Sequence, residues 1–316
     1  MKKKFAFIVP YFGKFHSWFQ LWLDSCARNE MVDWIIFTDD KTPYVYPSNV
    51  IVHYCTFYDI ISLVQSNFDF KVALDRPYKL CDFKPAYGEI FSDYLLGYKY
   101  WGFCDVDLIW GNLQKWLGNS KVEEYQQISF WGHCTLLKNI PEINLLYRMK
   151  IDGVKYYRDV FSSNKGFGFD EDTGFNVFSK YVGLKTYIIP YLDIMPPLLS
   201  YKFAPTAISL PFFSEAIKDI VVLVNSDGVK MYGLNEDKKL VVKEFAYVHL
   251  QRRNLKNEVS DNCKSFIIVP NRIIKGEYVD DEIIKKIRPS NIDAYLSHQN
   301  ILWKSRAKYM IYKILK

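Results

Sequence analysis

The first 55 residues alternate short apolar runs with polar turns. Lys4–Phe12 (KFAFIVPYF), Trp34–Phe37 (WIIF) and Val50–Cys55 (VIVHYC) each read as a buried strand, and Phe15–Arg28 carries aromatic and aliphatic residues at helical spacing. Strand, helix and strand in that order predict a βαβ start to a parallel sheet, whose ligands bind beyond the carboxyl ends of the strands. Those ends carry Pro10, Tyr11 and Phe12, then Thr38, Asp39 and Asp40.

Further along, Phe83–Leu96 is expected to be a helix closed by Gly97. Tyr100–Cys104 (YWGFC) reads as a buried strand that delivers Asp105-Val106-Asp107 to its end. Ile128–Trp131 is another short strand, Leu136–Arg148 is expected to include a helix, and the glycine- and aromatic-rich stretch 161–178 a loop opening into a helix near Asp172. Prolines recur from Tyr187 to Leu210 and predict an irregular connection. Val221–Val224 and Tyr232–Leu234 predict a hairpin around Asn225-Ser226-Asp227-Gly228, with Leu240–Leu250 a later strand. The class is therefore α/β, with no internal repeat and no low-complexity segment.

Composition adds three constraints. With 316 residues and 49% hydrophobic positions the chain buries a sizeable core, as one elaborated domain or two small ones. Aromatic residues make up 17%, enough to line a stacking cleft as well as an interior. The net charge of +6 is concentrated at the end, where Asp281–Lys316 holds eight Lys and Arg against three acids. A nearly neutral body argues against a nucleic-acid binder. The tail itself mixes Ile, Leu, Trp and Tyr with lysines at helical spacing, which predicts a basic amphipathic helix that lies on an anionic membrane surface or packs on the domain.

Six dispersed cysteines, Cys26, Cys55, Cys81, Cys104, Cys134 and Cys263, form no CxxC pair and no zinc-finger spacing, so free thiols in a reducing compartment are expected. The start MKKKFAFIVPYFGKFHSW imitates a signal peptide, but Pro10 and Gly13 break the apolar run and no small-x-small cleavage site follows. No run approaches the ~18 apolar residues of a membrane span. The expected location is cytoplasmic, at the inner face of the membrane if the tail binds lipid. A Walker loop, a strand-linked GxGxxG, a GxSxG and an HExxH are all missing, which removes P-loop, dehydrogenase, serine-hydrolase and zincin readings.

The sharpest chemical signal is Asp105-Val106-Asp107 after so apolar a strand. Residues i and i+2 of an extended chain share a face, so both carboxylates aim at one point and suit a hard divalent cation such as Mn2+ or Mg2+, which in turn bridges phosphate oxygens.

Lys79 through Asp107 resembles the DxD region of GT-A-fold glycosyltransferases, especially bacterial enzymes of surface-polysaccharide (capsule and O-antigen) synthesis, over about Lys4–Leu250. It is similar also to the mannosyltransferase-type pattern, whose Ser-Asp-x-x-Arg stands here as Cys81-Asp82-Phe83-Lys84. The resemblance implies a GT-A-type Rossmann-like mixed sheet flanked by helices, with a C-terminal helical basic tail. It implies a catalytic domain over 1–250, with a donor half about 1–125 and an acceptor half about 126–250, and an extension over 251–316. It further implies a nucleotide-diphosphate sugar gripped by Pro10, Tyr11, Thr38, Asp39, Asp82, Lys84, Asp105 and Val106, and a metal held by Asp105, Asp107 and His249. Arg252 and Arg253 either reach toward the diphosphate or form a solvated basic turn, and His133 is a further candidate to line the pocket.

Phe169-Asp-Glu-Asp-Thr-Gly174 resembles the acidic acceptor-side motif of the same fold, which makes Asp172, with Glu171 second, the candidate base that deprotonates a glycan or lipid-linked acceptor in an inverting displacement, the favoured route; a retaining route would need no such base. Plainer roles stand beside these: an Asx turn for Asp39 and Asp40, a helix cap for Asp172, a packed imidazole for His249 and His133. A sugar nucleotidyltransferase would also use paired acids, but the segment after Val9 lacks a glycine- and basic-rich triphosphate loop. A non-catalytic carbohydrate-binding protein would need neither donor nor metal.

Overall fold

The computed structural model describes residues 4–194, 202–206, 210–251, 255–260, 263–280, 282–284, 296, 303 and 304. The chain forms two compact units, Met1–Val106 with Leu113–Ile189, and Asp107–Asn112 with Pro190–Lys316. Both are built around sheets, and the architecture is mixed α/β.

The chain opens with β1 (Phe5–Pro10), helix α1 (Phe19–Ala27), β2 (Val32–Thr38), β3 (Val50–Tyr54) and helix α2 (Phe57–Ser66). Strand β4 (Tyr100–Cys104) follows, and after Asp105-Val106-Asp107 comes β5 (Leu108–Trp110), which belongs to the second unit. Then β6 (Gln127–Trp131), β7 (Cys134–Lys138) and β8 (Thr186–Tyr187) complete the first unit's seven-stranded sheet, ordered β3-β2-β1-β4-β7-β6-β8. Strands β1, β2, β3 and β4 run parallel, whereas β7 is antiparallel to β4 and to β6. The carboxyl ends of β1, β2 and β4 therefore share one edge with the start of β7, and Asp105 N–H donates to the His133 carbonyl there at 3.0 Å.

Why β4 sits at the centre is legible in its residues. All five are buried, and a Cβ at Gly102 would lie 2.0 Å from the Thr135 carbonyl oxygen, so only glycine lets β7 approach. Trp101 fills the interior beneath it and donates its indole N–H to Asn144 at 2.6 Å.

One expectation is corrected here. The single helix expected over Phe83–Leu96 is instead a 3-10 segment, Pro77–Ala86, one α-turn, Tyr87–Ile90, and a second 3-10 turn, Ser92–Leu95. Pro85 lacks the N–H that a continuous helix needs there. The helix expected within Leu136–Arg148 is present as the short α-helix Pro141–Asn144, followed by the 3-10 turn Leu146–Arg148, while Leu136–Leu137 belong to strand β7. Helix α2 carries a signal that the apolar pattern hides, a capping box in which Thr56 and Asp59 satisfy each other's backbone N–H groups, a motif that stabilises a helix start by about 1 kcal/mol.

In the second unit, β9 (Leu192–Asp193) is followed by β10 (Lys218–Asn225), β11 (Gly228–Leu234), β12 (Leu240–Phe245), β13 (Tyr247–His249), β14 (Lys256–Asn257), β15 (Phe266–Val269) and β16 (Arg272–Lys275). The expected hairpin is present, with Asn225 opposite Gly228 across a two-residue turn and Gly228 at φ +132°. Six strands make one sheet, ordered β12-β11-β10-β15-β16-β14. Because β14–β16 lie beyond residue 250 and belong to that sheet, no extension is set off at 251. The run Leu240–Leu250, expected as one strand, divides between two sheets, since β13 joins β5 and β9 in a separate three-stranded sheet. The basic tail lies outside the described residues apart from residues 282–284, Leu296, Trp303 and Lys304, as do Arg252 and Arg253. Among the described residues no helix is long and apolar enough to cross a membrane.

Candidate functional site

Charge gathers at the carboxyl end of β4. The Lys84 ammonium lies 2.7 Å from Asp105 Oδ1 and 3.3 Å from Asp170 Oδ2, and donates to the Gly132 carbonyl at 2.6 Å. Its side chain is 8% exposed, so it serves as an internal cation and not as a surface lysine. Burial would strip its proton, but the Asp105 carboxylate chiefly, with Asp170, holds its pKa well above the ordinary lysine value.

Asp170 behaves differently. Burial raises its carboxyl to about 7, against the pull of Lys84 and with a further push from Glu171 and Asp105. The two ends of this pair thus disagree in sense: Lys84 is held charged mainly by Asp105, while at Asp170 desolvation outweighs the lysine. A carboxyl whose folded pKa exceeds its unfolded value stabilises the fold fully below about pH 4, and that contribution fades as pH rises through about 7. Backbone shape makes room for the acids, because a Cβ at Gly132 would lie 2.8 Å from Glu171 Oε1 and 3.0 Å from Asp170 Oδ2. Burial pushes the neighbouring Cys81 thiol up to about 12, which leaves it protonated and unreactive at neutral pH.

The remaining acids of this unit divide into separate clusters. Asp82 is 3% exposed, pairs with Lys79 at 2.8 Å, and accepts from the backbone N–H groups of Phe167 and Phe169. It ties the 3-10 segment to the glycine-rich loop. Asp40 is buried and accepts from Lys14, Thr42 and Phe15 N–H, and although burial opposes it, these bonds hold its carboxyl well below the usual range. Its bond to Thr42 N–H is the Asx turn. Thr38 is fully buried and caps the same turn through Asp40 N–H.

Asp39 alone of these three is exposed, accepting from Gly13 N–H at 2.8 Å. The Tyr11 ring stacks on Phe15 with centroids 4.5 Å apart, and Pro10 ends β1 beside it. The Val106 carbonyl is bonded to His16 Nε2 at 2.7 Å.

Asp172 and Glu171 are exposed at the head of the helix Phe175–Tyr181. That helix begins three residues after Asp172, with Gly174 at the N-cap, so Asp172 is not the cap; it accepts instead from Asn176 Nδ2 at 3.3 Å.

In the second unit, the start of β5 and the ends of β13 and β9 meet at a different polar group. His249 Nε2 lies 3.5 Å from Asp107 Oδ1, and Nδ1 lies 2.8 Å from Asp193 Oδ1. Burial works against a charged imidazole, but the two carboxylates outweigh it and raise its pKa to about 10. The donor set suits a hard cation once that proton leaves. A spacing of 3.5 Å is long for a hydrogen bond yet near the ~3 Å between neighbouring ligand atoms that each sit about 2.1 Å from one ion.

Sequence reasoning therefore named Lys84, Asp105, Asp107 and His249 but overlooked Asp170 and Asp193. Asp170 stands inside the quoted acidic motif, where no local pattern tells which acid turns inward. Comparison with known proteins adds a family and no more: residues 7–277 match the model of a family of unknown function, DUF6625, and the chain belongs to that family. No curated protein matches the chain.

Proposed function

We propose that this chain is a metal-dependent glycosyltransferase of the GT-A fold, which moves a sugar from a nucleotide-diphosphate donor, a UDP-sugar by preference, to a glycan or lipid-linked acceptor in surface-polysaccharide synthesis at the cytoplasmic face of the membrane. The observation that carries the reading is the carboxylate pair after the wholly buried strand β4, one member of which, Asp107, faces the His249 imidazole at 3.5 Å. Asp105, Asp107 and His249 offer two oxygens and one nitrogen of the kind Mn2+ or Mg2+ accepts. Bound by them, the cation supplies positive charge that offsets the charge building on a departing diphosphate.

The other residues bind and orient. Lys84 anchors Asp105 through Oδ1. Tyr11 and Pro10 offer a flat surface to a base, and the exposed Asp39 an acceptor for ribose hydroxyls. Asp172, with Glu171 second, is exposed and so reachable by an acceptor hydroxyl, whose proton one of them takes in an inverting displacement.

Proton release on metal binding tests this reading. His249 carries a proton at pH 7.5, because its pKa is raised to about 10, and must surrender it to become a ligand. Titrating Mn2+ into the full chain in two buffers of different ionisation enthalpy is expected to show about one proton released per ion. The His249→Gln variant is expected to bind more weakly and without that release. Absence of Mn2+ binding, or release unchanged in the variant, would remove His249 from the metal site.

A further inference from the structure

Asp193 has no place in the sequence reasoning, yet it is among the most fully engaged carboxylates in the molecule. It ends β9, stands in register with His249 and is 2% exposed. Its Oδ1 accepts from His249 Nδ1 at 2.8 Å and from Gln251 Nε2 at 2.6 Å, while Oδ2 accepts from the Thr206 hydroxyl at 2.7 Å. Backbone bonds brace the same place, with Thr206 N–H on the Asp193 carbonyl and Ile194 N–H on the His249 carbonyl. Gln251 reaches the carboxylate from a left-handed backbone, φ +47°, a conformation that costs a non-glycine residue energy and persists only where its surroundings hold it.

We infer that Asp193 is a positioning residue: it fixes the ring of His249 through Nδ1 so that Nε2 is presented beside Asp107 for the metal. The inference rests on the metal reading proposed above. A ring held at one nitrogen cannot rotate about its Cβ–Cγ bond without breaking that bond, so the ligand atom is set before any ion arrives. The carboxylate also makes the neutral, metal-bound imidazole a stronger donor by accepting from its remaining N–H. A purely structural aspartate, tying β9 to β13, would need neither the second clamp from Gln251 nor a partner whose other nitrogen faces a carboxylate.

The test is a double-mutant cycle read by metal affinity. Free Mn2+ is measured by its electron paramagnetic resonance signal during titration of the full chain, for the unaltered protein, Asp193→Asn, His249→Gln and the double variant. Asp193→Asn is expected to weaken Mn2+ binding about 10- to 100-fold, and to cost less than about twofold when His249 is already Gln. Unchanged affinity in Asp193→Asn, or the same loss in both backgrounds, would overturn the inference. If the unaltered protein binds no Mn2+, the metal reading falls and the inference with it; binding that ignores Asp193 removes the inference alone. Should Asp193→Asn lose its native circular dichroism, Thr206→Val decides, since it removes one bond to the carboxylate and keeps its charge. About fivefold weaker Mn2+ binding is then expected, and unaltered binding would overturn the inference.

Discussion

Asp107→Asn is expected to abolish Mn2+-dependent nucleotide binding while leaving the fold in place. The substitution is nearly isosteric, and the backbone carbonyl of Asp107 keeps its bond from Leu250 N–H at 2.9 Å whatever the side chain becomes. Loss of a partner one shell out from a metal already costs about 10- to 100-fold in affinity, so loss of a charged ligand should cost at least about 100-fold. A second signature separates this from unfolding. The Asp107 carboxylate helps to raise the pKa of His249 to about 10, so its share of that stabilisation is complete below about pH 6.5 and lost as pH rises through about 10. The variant's deficit in thermal midpoint should therefore be largest near pH 6 and vanish near pH 10. Full Mn2+ affinity in Asp107→Asn would remove the carboxylate from the site.

Replacing the internal cation should have the largest effect on stability. Lys84→Met keeps most of the buried volume but leaves the Gly132 carbonyl without its donor and Asp170, 6% exposed, without its counter-charge. Breaking a buried pair in this way costs about 3–5 kcal/mol. The cost should depend on pH in a definite sense. Lys84 pulls the Asp170 pKa down, so its removal carries that value above the present 7 or so, and the variant folds by keeping the proton on Asp170. Its urea midpoint should trail the unaltered protein by a constant amount up to about pH 6 and fall further behind as pH rises past about 7. A deficit independent of pH would mean that Asp170 does not share the lysine's charge.

Which parts of this molecule are legible in the chain follows from where their causes lie. β1, α1, β2 and β3 are set by apolar runs and helical spacing within single segments, and the β10–β11 hairpin by Asn225-Ser226-Asp227-Gly228; all of these were readable. Pro85 interrupts a helical pattern whose apolar spacing is otherwise persuasive, and the pattern outweighed it. β15 and β16, FIIV and RIIK, are apolar enough to be strands and pair as a hairpin across Pro270-Asn271, a local signal the apolar pattern alone passes over, whereas the pairing of β15 with β10 spans more than 40 residues of chain and leaves no local mark.

The candidate site divides in the same way. Asp105 and Asp107 announce themselves because two acids end an apolar strand. Asp170 is told from Glu171 and Asp172 only by burial against Lys84 and Gly132, which lie 86 and 38 residues upstream. Asp193, in the unremarkable run Tyr191-Leu-Asp-Ile194, gains its meaning entirely from pairing with His249.

The central claim, a nucleotide-diphosphate donor bound through a metal, is tested most directly by calorimetric titration of UDP, GDP and CMP, with their common sugar conjugates, into the purified chain with and without Mn2+. Tight binding of one nucleotide, UDP by preference, that disappears when Mn2+ is withheld is the expected result. A folded protein that binds none of them under either condition would contradict the transferase reading and favour a protein that holds glycans without a donor.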